Sequence, residues 1–88
     1  MGESRQGQVW GRRMSDRIEI AKLEALAEAA YDRMYDASRP KDAYEEACEY
    51  FNDAIELARS VGLEDEAARL SARKAHVTAV YNSQFRWV

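Results

Sequence analysis

Helix-breaking residues are so rare in this sequence that their positions divide the chain into a few long segments. The 88 residues include one proline and four glycines, and neither type occurs between Gly11 and Pro40. Pro40 and Gly62 bound a second such segment, and a third follows Gly62. Glycine and proline are the residues that the interior of an α-helix tolerates least. The sequence therefore predicts one all-α domain with three helices.

The first helix is predicted over residues 16–37. Asp16 and Glu19 have the spacing of a capping box, in which side chains satisfy free amides at a helix start. Apolar residues then recur at three- and four-residue steps, which is the period of a single buried helix face. The residues of this face are Ile20, Leu23, Ala27, Ala30, Tyr31 and Met34.

A second helix is predicted over residues 40–61 and a third over residues 64–82. Pro40 suits the first turn of a helix, and Gly62 suits the left-handed position that follows a last turn. The second helix has a broad apolar face, as a middle helix with two neighbours needs. We therefore expect a three-helix antiparallel bundle. The third helix also carries a line of small residues, Ala68, Ala72, Ala75 and Ala79.

Residues 1–13 are expected to be a flexible N-terminal arm or a leader, separate from a single helical domain at 14–88. They are polar, with three arginines, one glutamate and one aromatic residue, Trp10. Met14 would suit a natural start of the protein. The alternative is a mobile arm that binds a partner through Trp10 and the neighbouring arginines. Short termini are usually disordered unless they are docked.

The second predicted helix follows the pattern Y-x-x-A-x-x-x-F-x-x-A from Tyr44 to Ala54. This pattern resembles the second helix of a tetratricopeptide repeat, in which alanines lie where paired helices touch and the aromatic residue fills the space between them. The first predicted helix is similar to the first helix of that repeat in Leu23, Leu26, Ala27 and Ala30. The resemblance implies a tetratricopeptide-like helix-turn-helix plus a third helix, and a role in protein binding. Repeat arrays generally need about three repeats, so one repeat points to a partner chain.

The sequence contains no recognisable catalytic, cofactor or metal motif. His76 is the only histidine and Cys48 the only cysteine, and neither has a second ligand or a base at a suitable spacing. We interpret His76 as a surface or helix-flank residue and Cys48 as a small packed side chain. Glycine-rich phosphate loops and HExxH motifs are absent from the sequence. We therefore expect no enzyme activity, no cofactor and no metal.

A basic patch is predicted on the third helix, where Arg69, Arg73 and Lys74 lie close in sequence. One interpretation is that these residues form salt bridges with the acidic face of another helix. The other is that they clamp an acidic peptide, as some tetratricopeptide proteins do. Because the second interpretation remains open, all three residues are candidates for partner binding.

Three aromatic residues are further candidates for partner binding. Tyr35 lies beyond the best-packed part of the first predicted helix, where it would line a groove. Phe85 and Trp87 belong to the C-terminal tail, which is unusually rich in large apolar groups. These groups either fold back on the bundle or contact another molecule.

The negative charge of the chain is concentrated in its middle. Residues 14–62 carry twelve acidic and six basic groups, and the net charge of the whole chain is −3. This distribution argues against nucleic-acid binding, which usually needs a basic face. The sequence has no apolar run of the roughly 18 residues that a membrane span requires. A single cysteine fits a reducing compartment, so we expect a cytoplasmic protein.

These features together predict a non-catalytic protein–protein interaction or assembly module. One hairpin plus one helix leaves a helix face unsatisfied, and we therefore expect self-association as a homodimer. The alternative is a small acidic regulator or inhibitor that docks on a basic protein surface. The acidic residues of the second helix most simply form a solvated face, and the other interpretation is an electrostatic docking surface; they are Glu45, Glu46, Glu49, Asp53 and Glu56.

Overall fold

The computed structural model describes the backbone of residues 2–86 and the side chains of residues 15–86. The chain forms an all-α bundle of three helices. Its elements are α1 at Gly2–Asp36, α2 at Pro40–Ser60, α3 at Glu64–Val80 and a π-helical turn at Tyr81–Phe85. Within this described part there is no strand, and no helix combines the length and the apolar character that crossing a membrane would require.

Contacts between side chains fix the directions of the helices. Arg33, near the end of α1, forms a salt bridge of 2.7 Å with Glu46, near the start of α2. Tyr44, also near the start of α2, shares a hydrogen bond of 3.1 Å with Thr78, near the end of α3. Each neighbouring pair is therefore antiparallel, as the sequence predicts, and α3 runs parallel to α1.

The core lies along α2, which packs against both other helices. Phe51 is fully buried at the middle of α2, and Met34, Leu70 and Val77 are the other large side chains with no exposed surface. Alanines complete the contacts between the helices, because their small side chains allow the backbones to approach closely. The buried alanines are Ala27, Ala30, Ala43, Ala47, Ala54, Ala58 and Ala67.

The predicted start of the first helix at Asp16 is wrong, because α1 begins at Gly2. Asp16 therefore lies inside a helix and cannot cap it. Extending an existing helix by one residue costs much less than starting a new one. The glycines at positions 7 and 11 lower helix stability by only about 1 kcal/mol each. A cap-like pair of side chains is thus too weak a signal to end α1 at this point.

The other helix boundaries follow the sequence closely. Pro40 is the first residue of α2, and α2 ends two residues before Gly62, whose φ of 81° is left-handed. The amide of Leu63 donates to the carbonyl of Ala58 and the amide of Gly62 to that of Arg59, at 2.8 and 3.1 Å. This pair of bonds is a Schellman motif. The third helix ends at Val80 instead of residue 82, because the chain continues as the π-helical turn.

We predict that Gly62→Ala lowers the free energy of unfolding by about 1 kcal/mol, because a left-handed conformation is unfavourable for a residue with a Cβ atom. A Cβ built at Gly62 has no neighbouring atom within 4 Å, so the cost comes from the backbone alone. Urea denaturation measures the change, and Gly62→Asn should lose less because asparagine tolerates this conformation. Equal stability of Gly62→Ala and the wild type would contradict the prediction.

Candidate docking surfaces

Arg69 and Arg73 join α3 to α1 through carboxylates of α1. Both terminal nitrogens of Arg69 donate to the carboxylate oxygens of Glu24, at 2.8 and 2.9 Å. One turn later, Arg73 donates through Nε and a terminal nitrogen to Glu28, at 2.6 and 2.8 Å. Arg69 also pairs with Glu66 on α3 at 2.9 Å. Of the two interpretations of the basic patch, this geometry matches internal salt bridges for both arginines.

These pairs shift the protonation equilibria of their members. Hydrogen bonds from Arg69 hold the pKa of Glu24 and that of Glu66 below the ordinary value for a glutamate. Hydrogen bonds to Glu24, and then to Glu66, raise the pKa of Arg69, and those to Glu28 raise the pKa of Arg73. The arginines therefore remain charged, and an acidic peptide would have to displace a bound carboxylate to reach them.

We predict that the Glu24–Arg69 pair stabilises the fold more at neutral pH than in acid. A pKa lowered by folding gives stability that is present above the unfolded pKa and is lost as pH falls through the folded pKa. Glu24→Gln should therefore cost about 0.5–1 kcal/mol at about pH 7, the range of partly exposed pairs, and less at about pH 3, which is below the ordinary pKa of a glutamate. Urea denaturation at both pH values measures this. Glu19→Gln, at an exposed position, is the control, and an equal loss at both pH values would contradict the prediction.

Lys74 lies on a different surface from the two arginines. It lines an open groove between α2 and α3, with a volume of about 450 Å³. Ile55 lies at this groove and is almost fully buried, and Arg59 of α2 contributes a second cation. Among residues 15–86, Lys74 and Arg59 have no carboxylate within ion-pair distance. The remaining lining residues are Asn52, Ser71, Ala75 and Thr78.

The outward side of α3 next to this groove is formed by small residues. The predicted line of Ala68, Ala72, Ala75 and Ala79 is exposed along its whole length. The opposite side of α3 is buried against the bundle through Ala67, Leu70 and Val77. Helix α3 is thus covered on one side only.

Tyr35 and Phe85 lie together at the end of the bundle where α1 finishes. Their rings contact edge to face with centroids 5.1 Å apart, and Tyr35 remains 53% exposed. The hydroxyl of Tyr35 also shares a hydrogen bond of 3.2 Å with that of Tyr31. Phe85 packs against the core through the π-helical turn, which confirms that this part of the tail folds back. Trp87, the third aromatic candidate, lies outside the described residues.

His76 and Cys48 occupy the kinds of position that the sequence predicts. His76 is exposed on α3 and touches the ring of Tyr31 edge to face, with centroids 6.3 Å apart. Cys48 is half-buried on α2. In the part of the chain with described side chains, no three histidine, cysteine or acidic residues lie close enough to hold a metal ion. Every buried polar side-chain atom there has a hydrogen-bond partner.

No family model, curated protein or solved structure matches this chain. The described residues form two candidate docking surfaces, which are the groove between α2 and α3 and the aromatic contact of Tyr35 with Phe85. The groove has a buried apolar residue, two cations without an ion-pair partner among the described side chains, and a neighbouring exposed line of alanines. The groove therefore combines more features of a binding surface than the contact of Tyr35 with Phe85 does.

Proposed function

We propose that the chain is a non-catalytic protein–protein interaction and assembly module that associates with a second copy of itself. The observation that carries this proposal is the open α2–α3 groove beside an uncovered side of α3. Ile55 lines the groove although it is almost fully buried, and Arg59 and Lys74 have no ion-pair partner among the described side chains. A helix is the occupant that fits such a surface.

The exposed alanine line favours a helical occupant for a geometric reason. Small side chains let the axes of two helices approach to about 8 Å, the close end of the usual range. Alanine also loses no side-chain rotamer freedom when it is buried. A helix that packs against Ala68, Ala72, Ala75 and Ala79 would therefore cover α3 at little entropic cost.

The tetratricopeptide-like interpretation belongs to this proposal. Its support is a pair of antiparallel helices with Ala27, Ala47 and Phe51 fully buried, followed by a third helix parallel to the first. In repeat proteins each unit is stabilised by stacking against its neighbours. A unit with an uncovered third helix would use a partner chain in the place of the next repeat.

A specific observation also favours the second candidate, a small acidic regulator that docks on a basic protein surface. The outward side of α2 exposes Glu45, Glu49, Asp53 and Glu56 in one row. Charge of one sign along a helix attracts an oppositely charged surface and speeds association. In this candidate function these four carboxylates, and not the groove, would contact the partner.

Sedimentation velocity on the wild-type chain tests self-association. At tens of micromolar and in the presence of a reductant, we expect a mass near twice the 10.1 kDa of one chain. The reductant excludes dimers linked through Cys48, and a cytoplasmic location, which we also propose, is reducing. A single species of monomer mass throughout a dilution series would overturn self-association. The acidic-regulator candidate would then be the one to pursue.

A further inference from the structure

Helix α2 carries a row of exposed carboxylates beside the groove. Glu49, Asp53 and Glu56 follow one another at steps of four and three residues, so they lie on one side of the helix. All three are exposed, and none forms an ion pair with any residue whose side chain the structure describes. We call these three residues the acidic row.

The groove next to this row carries charge of the opposite sign. Arg59 follows Glu56 by three residues on α2, and Lys74 reaches the groove from α3. Asn52, which also lines the groove, lies between Arg59 and Glu56 in the helical projection, so the groove is next to the Glu56 side of the acidic row. One continuous face of the bundle thus holds three anions and two cations, and no described residue neutralises them. We call Arg59 and Lys74 the groove cations.

We propose that two copies of the chain pair through this face around a two-fold axis. The acidic row of each copy would then lie over the groove cations of the other. A two-fold interface brings the same patch of both subunits together, so a patch with separate regions of opposite charge complements itself. This inference rests on the proposed function and identifies the partner and the surface that it uses.

The pattern of charge favours a second copy over a partner of a single charge sign. An acidic peptide in the groove would be attracted by Arg59 and Lys74 but repelled by the adjacent row on α2. A basic helix would be attracted by the row and repelled by the groove cations. Like charges that face each other across an interface strongly disfavour the complex. A second copy, turned by half a revolution, satisfies both regions at once.

Two charge-reversed variants test this arrangement. The groove variant is Arg59→Glu with Lys74→Glu, and the row variant combines Glu49→Lys, Asp53→Lys and Glu56→Lys. Each variant alone opposes like charges in its own dimer, so we expect at least about tenfold weaker self-association. Mixed together, the two variants should form a heterodimer, because each reversed region then faces the opposite charge.

Sedimentation velocity and native mass spectrometry measure the oligomeric state of each variant and of the mixture. Lys22→Glu with Arg39→Glu changes the net charge by the same amount as the groove variant, at exposed positions away from the groove, and this control should dimerise like the wild type. Circular dichroism reports folding. If a multiple variant is unfolded, Lys74→Glu and Asp53→Lys replace the two combinations.

The possible results distinguish an error in the proposed interface from an error in the proposed self-association. Monomeric variants that associate on mixing support the proposed face. A wild type that dimerises together with variants that dimerise equally well would overturn the face and leave self-association standing. Variants that stay monomeric on mixing would also overturn the face. A monomeric wild type would overturn self-association itself.

Discussion

Replacing Phe51 by alanine should remove a large part of the stability of this domain. Phe51 has no exposed surface and lies at the middle of α2, the helix that packs against both others. Truncation of a buried phenylalanine typically costs about 3–5 kcal/mol, through lost burial and through the cavity that remains. A domain of this length is stabilised by roughly 4–13 kcal/mol in total. Urea denaturation followed by circular dichroism measures the loss.

Leu26→Ala is the matched control for this substitution. Leu26 is 47% exposed on α1 and is absent from the packed core, so its truncation should change stability by no more than about 0.5 kcal/mol. Equal losses of stability from the two substitutions would contradict the claim that Phe51 lies at the centre of the core. A small effect of Phe51→Ala alone would lead to the same conclusion.

Enlarging Ala47 to leucine should destabilise the bundle by about 1–3 kcal/mol. Ala47 is fully buried in α2, and the buried alanines Ala27 and Ala30 belong to α1. Additional methylene groups in a well-packed core force side chains out of their preferred rotamers and shift the backbone. We expect α1 and α2 to move apart, with a lower thermal midpoint and a broader transition.

The control for this second substitution is Ala29→Leu on α1, since Ala29 is exposed. The same increase in size at that position meets water instead of a neighbouring helix. Leucine and alanine both favour helix, so the stability of this variant should stay close to that of the wild type. A stable Ala47→Leu variant would show that the helices do not approach as closely as we describe.

The sequence predicts the helical architecture well because local signals and the apolar pattern agree. Pro40 and Gly62 set the start and the end of α2 through backbone geometry that hardly depends on the rest of the fold. The start of α1 is predicted wrongly, because Asp16 and Glu19 suggest a cap while the glycines at positions 7 and 11 are too weak to end the helix. Capping energies near 1 kcal/mol indicate a boundary without enforcing it.

The candidate docking surfaces are harder to predict, because they depend on how residues from different helices meet. Arg73 and Lys74 are adjacent in sequence, yet a rotation of about 100° per residue directs one toward Glu28 of α1 and the other toward the groove with α2. The sequence therefore suggests one basic patch where two separate surfaces exist. Arg59 is missing from the predicted residues altogether, because its place in the groove depends on the register of α2 and α3. The line of alanines on α3 is the sequence feature that points to the uncovered side of this helix beside the groove.

A dilution series recorded by two-dimensional ¹⁵N–¹H NMR on the wild-type chain tests the central claim most directly. If two copies pair through the α2–α3 face, concentration-dependent shifts should concentrate at Asn52, Ser71 and Ala75, which line the groove. The amides of Leu26 and Ala29, on the exposed side of α1, should not change. Shifts that are independent of concentration, or that concentrate on α1, would contradict the account.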